Sequence, residues 1–143
     1  MSIASTRLWF SLALAIVPLV EAQATTTDAE FAKLFVGTWR STSSKEGSNA
    51  AFASITYVAD GSFKMILYDE SCKGIRHEAA GTWQIKDKVL HTKTTRSVGS
   101  QQRLRAGTIT KDKVISVEGD KMVLRSVAGG LLYRTKGEPC AQK

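Results

Sequence analysis

His77 and His91 are the only imidazoles in the chain, and the carboxylates of Glu78 and Asp69 stand near the first of them in sequence. Such a set could transfer protons or ligate a divalent metal. Neither histidine has a second one at ligand spacing, so both read as strand or rim residues and no metal is expected. The serines occupy no nucleophile-elbow context, and no glycine-rich phosphate loop is present. No catalytic residue is therefore assigned, and no cofactor is expected. A third set is basic: Arg96, Arg103, Arg105, Lys111 and Lys113, with no aromatic residue among them. Single-strand nucleic-acid binders interleave cations with aromatic stacking platforms, so nucleic acid is not an expected partner. A cationic hairpin around residues 99–102 suits contact with an acidic protein or a polysaccharide.

Side chains at alternate positions suggest other chemistry. With Trp39 facing inward, Ile55 and Tyr57 fall on one face of a strand, Phe63, Met65 and Leu67 on another, and Gly81, Trp83 and Ile85 on a third. Leu90, Thr92 and Thr94, then Met122 and Leu124, continue a mostly apolar lining with a few hydroxyls. A small-molecule pocket has this composition, and so does a packed core. Tyr57, Phe63, Met65, Trp83, Leu90 and Thr92 are the expected ligand-binding residues.

The elements that must position them are strands. Thr27-Asp28-Ala29-Glu30 is a capping-box sequence, followed by Phe31, Leu34 and Phe35 at helical spacing, which predicts a helix of about two turns. Beyond Val36 the period becomes two, with Gly, Asp and Ser clusters about every ten residues. The pattern predicts eight strands at residues 36–41, 52–58, 62–69, 75–85, 88–96, 103–117, 121–127 and 131–136. Pro139 lies outside all of them, so no ladder is interrupted. The polar stretch 41–51 reads as a mobile loop. Eight strands with tight sequential turns predict an all-β fold, an antiparallel up-and-down barrel with a short N-terminal helix, because closure removes exposed edges.

The first 24 residues carry Arg7, an apolar run from Leu8 to Val20 and then Ala22-Gln23-Ala24, the small-x-small pattern of a signal-peptidase site. The run is shorter than the roughly 20 residues that span hydrocarbon and contains Pro18. A cleaved signal peptide (1–24), one domain (25–143) and a secreted or periplasmic product are expected, with no stable membrane insertion. Cys72 and Cys140 are the only cysteines, and in an exported chain they read as one disulfide. The net charge is +7. Arg7 and Glu21 cancel, so that charge belongs to the domain.

Phe35-Val36-Gly37-Thr38-Trp39-Arg40 entering the first strand, with Leu132-Tyr133-Arg134 in the last, resembles the signature of lipocalin-like calycin barrels. Ile55-Thr56-Tyr57 before Ala59-Asp60-Gly61, and Gly81-Thr82-Trp83, extend the likeness along the chain. The resemblance implies that Trp39 sits at the closed end with Arg134 over its indole, a cation-π contact tying the first strand to the last. It also implies a lumen holding a small hydrophobic or amphipathic molecule. A protein-interaction module, such as an inhibitor, immunity or envelope-associated factor using its loops, is the alternative. An isomerase or cyclase would rest on the fold alone unless His91 or another ionisable group faced a real cavity.

Overall fold

A computed structural model describes residues 26–42, 53–69, 71–99 and 105–140 of the chain. The expected signal peptide, most of the polar stretch 41–51, most of the hairpin tip at 99–102, and Arg103 lie outside the described residues.

Helix α1 (Asp28–Phe35) begins at the capping box: the Thr27 hydroxyl accepts from the Glu30 N–H at 3.3 Å, and the Glu30 carboxylate accepts from the Thr27 N–H at 2.7 Å. Eight strands follow: β1 (Gly37–Thr42), β2 (Ala53–Tyr57), β3 (Ser62–Tyr68), β4 (Ile75–Lys86), β5 (Val89–Gly99), β6 (Ile109–Glu118), β7 (Lys121–Arg125) and β8 (Leu131–Lys136). Each pairs antiparallel with the next, and β8 returns to β1, closing the barrel. Cys72, in the β3–β4 turn, and Cys140, beyond β8, form the expected disulfide, with Cα atoms 5.5 Å apart.

Three strand limits differ from the alternation pattern by two residues or more. The expected strand 103–117 begins only at Ile109, because the Thr108 N–H closes a turn on the Arg105 carbonyl and Gly107 takes a positive φ. The strand expected to end at 96 runs to Gly99, and β7 stops at Arg125 where Ser126 and Gly130 bond across a turn. Bulges explain why parity misleads. Ala80 faces Arg96 and Gly81 faces Thr94, so Thr95 is skipped and the inward face of β5 changes from even to odd positions. Ile115 is skipped likewise, and both Val114 and Val117 are buried. At the first bulge only glycine fits: a Cβ on Gly81 would fall 1.9 Å from the Lys93 carbonyl oxygen.

The β4–β5 turn places Asp87 and Lys88 at φ of 54° and 57°, a left-handed pair made without glycine. The Asp28 carboxylate, from the first turn of α1, accepts from both of their N–H groups, at 2.7 and 3.0 Å. Those two bonds, that from Lys88 first, hold the Asp28 carboxyl below its usual range and clamp the helix to the barrel. Since the clamp uses backbone donors, replacing Asp87-Lys88 with Asn-Gly should keep it while relieving left-handed strain. Stability should rise by about 1 kcal/mol, read as a higher urea midpoint at unchanged slope.

Candidate functional site

The helix end of the barrel is filled by aromatic rings. Phe35 and Trp39 are completely buried, and the Trp39 indole N–H donates to the Phe35 carbonyl at 2.7 Å. Phe35 and Trp83 stack and Tyr57 meets both edge to face, with ring centroids 5.1 to 6.0 Å apart. The Trp83 N–H is spent on the Val58 carbonyl at 3.0 Å.

The expected Arg134–Trp39 contact is not made. Trp39 lies directly opposite Lys136 across β1 and β8, and the Lys136 ammonium sits 5.3 Å from its ring centroid. Arg134 is two residues farther along the same face, opposite Ser41, and reaches into the lumen. There its guanidinium donates a hydrogen bond to the Tyr57 hydroxyl and lies 5.9 Å from that ring's centroid. The cation that crosses Trp39 is thus a lysine one register step later, and the arginine becomes a lumen group.

A cavity of about 140 Å³ occupies the lumen, lined by Ile55, Tyr57, Phe63, Met65, Ala79, Leu90, Thr92, Thr94, Thr110, Asp112 and Arg134. Of the six residues expected to bind ligand, it brings together Tyr57, Phe63, Met65, Leu90 and Thr92. Trp83 instead belongs to the aromatic plug. His91 stands on the outer face, bordering an exterior groove, whereas His77 is buried in the wall with its Nε2 3.0 Å from the Ser97 hydroxyl. Among the described residues, no three metal-ligating side chains converge.

The ionisable groups facing the cavity are Asp112, Arg134 and Tyr57. Sequence reading passed over Asp112, although it shares a strand face with Thr110 and buried Val114. A carboxylate in phase with a core valine was the available signal. Burial raises the Tyr57 phenol pKa, with the Arg134 charge opposing, so the phenol stays neutral. Its oxygen accepts from Arg134, leaving the O–H free to donate into the cavity. The Thr92 and Thr110 hydroxyls are already bonded to each other at 2.6 Å. Beside the Asp112 carboxyl, the polar end of the lumen therefore offers donors, from a phenol and a guanidinium, to an acceptor on a bound molecule.

Burial also raises the Asp112 carboxyl pKa, partly countered by Arg134. Because the folded pKa lies above the unfolded one, the contribution to stability is fully present below the ordinary aspartate range. It is lost as pH rises through the folded value. Asp112→Asn should flatten that part of the stability-against-pH curve and leave the variant equal to or more stable than the parent at pH 7. Urea midpoints at pH 4 and pH 7 check it; parallel losses in both proteins would refute it.

Among the described residues no helix is long and apolar enough to cross a membrane. Comparison with known protein families and with characterised proteins finds no match.

Proposed function

We propose that this chain is an exported, lipocalin-like binding protein whose lumen holds a compact molecule with a carboxylate or carbonyl head on an apolar body. The observation carrying the reading is the Arg134–Tyr57 hydrogen bond at the edge of an otherwise mostly apolar cavity. An engineered cavity of about 150 Å³ accommodates benzene, so a lumen of about 140 Å³ suits a single ring or a short branched chain rather than a long acyl tail. The closed eight-stranded barrel is compatible with the calycin architecture, and Gly37-Thr38-Trp39 at the start of β1 supports that kinship. Export is supported by the leader sequence and by a disulfide suited to an oxidising compartment. A cavity walled by ordered strands favours ligand capture over a module that only displays loops.

Native mass spectrometry of protein purified from its own host tests the proposal. The expected result is an added mass equal to a small organic acid or carbonyl compound. A lumen repeatedly empty, with no change in tryptophan emission across a panel of small aromatic and branched acids, would overturn it.

A further inference from the structure

The outer face of the barrel carries a second feature, independent of the lumen. Outward positions of β4 to β7 align in three cross-strand rows: Lys86, Val89, Lys113 and Arg125; then Gln84, His91 and Lys111; then Thr82, Lys93 and Ile109. Five permanent cations occupy these rows without one carboxylate. Lys113 lies directly opposite Arg125, and Lys111 directly opposite His91.

Directly opposed like charges destabilise an antiparallel pair. Strands about 4.8 Å apart set such groups within the roughly 8 Å screening length of physiological salt. Among the described residues, no ion pair or side-chain hydrogen bond engages Lys86, Lys93, Lys111, Lys113 or Arg125. The acidic side chains of this end are Asp28 in the first turn of α1, Asp87 and Asp120 in turns, and Glu118 at the end of β6 opposite Lys121, all outside the three rows. A face built against its own stability in this way calls for an anionic partner.

The face is also concave. An exterior groove of about 400 Å³ runs across β4, β5 and β6, bordered by Thr82, Gln84, His91, Lys93, Ile109 and Lys111. We propose that this groove and its flanking cations bind an anionic polysaccharide, the cations taking uronate or sulfate groups and Thr82, Gln84 and His91 hydrogen-bonding the hydroxyls. Nucleic acid is disfavoured because the rows hold no tryptophan, tyrosine or phenylalanine as a stacking platform, and Trp83, which also borders the groove, is buried with its ring against Phe35 and Tyr57. A membrane surface is disfavoured because the rows contain only Val89 and Ile109 as apolar groups, too little to enter the interface.

The test is titration of the disulfide-bonded protein with polygalacturonate, heparin and neutral dextran, beside duplex DNA and phosphatidylglycerol vesicles, at physiological and high salt. Binding to both anionic polysaccharides, none to dextran, and a steep loss with salt are expected. Lys111→Glu/Lys113→Glu should weaken polysaccharide binding at least tenfold. Its melting temperature should hold or rise, since Lys113→Glu turns a like-charge pair with Arg125 into an opposite one. Undiminished polysaccharide binding by the variant, tighter binding to DNA or vesicles than to either polysaccharide, or no binding to either polysaccharide would overturn the proposal. A second pair, Lys93→Gln/Lys111→Gln, removes charge without adding it and should weaken binding in the same direction.

Discussion

Trp39→Ala is expected to destabilise the barrel by about 3 to 5 kcal/mol, the range for emptying a fully buried large aromatic site. Trp39 is completely buried, and its indole joins three elements. It packs in β1, donates its N–H to the last carbonyl of α1, and lies beneath the Lys136 ammonium from β8. A domain of this size has a total stability of only about 5 to 15 kcal/mol, so the variant should be marginal at 37 °C. Trp39→Phe separates packing from hydrogen bonding. It keeps much of the volume but leaves the Phe35 carbonyl without its donor, and should cost clearly less than alanine. Urea unfolding followed by circular dichroism measures both. A loss below 1 kcal/mol for Trp39→Ala would mean that the helix end is not held by this plug.

Arg134→Met is expected to weaken binding of a small carboxylate by about 10- to 100-fold, because a hydrogen bond to a charged group contributes about 1.5 to 3 kcal/mol. Methionine keeps an unbranched apolar stem in the lumen while removing every N–H donor. The effect should be specific to the head group: a neutral probe of the same shape should bind the variant and the parent within a few-fold of each other. Tyr57→Phe should give a smaller loss, since it removes one donor and leaves the guanidinium. Asp112→Asn should act in the opposite sense, removing a carboxyl whose ionised form repels an anionic ligand. Calorimetric titration with an acid and its neutral isostere reads all three variants. Equal losses for acid and isostere on Arg134→Met would point to general collapse of the lumen rather than loss of a head-group contact.

The architecture was legible because alternation, turn chemistry and one capping box agree. Ala59-Asp60-Gly61 is a turn in the structure as in the pattern: the Asp60 carboxylate accepts from the Ser62 N–H at 2.8 Å and Gly61 takes φ of 85°. The β4–β5 turn was harder to place, since Asp87-Lys88 carries no glycine and is held by Asp28, far away in sequence. The lumen face was legible where strands are regular, as at Phe63 and Met65. No lumen position was assigned on β6, where the skipped Ile115 puts both Val114 and Val117 in the core, and Asp112 was passed over. Arg134 was seen but given the wrong neighbour. Side-chain alternation says which face a residue occupies, not its register against the opposite strand, and a two-residue offset exchanges Lys136 for Arg134 beneath Trp39.

On the proposed reading, Arg134 and Tyr57 receive the head of a compact ligand inside the barrel. Titrating the isotopically labelled protein with benzoate, beside toluene as a control, and following backbone amide shifts tests this. Saturable shifts at the strand positions of Tyr57, Met65, Leu90, Thr92 and Arg134, larger for benzoate than for toluene, are the predicted result. Shifts confined to the outer cationic rows, or none inside the barrel with either compound, would contradict it.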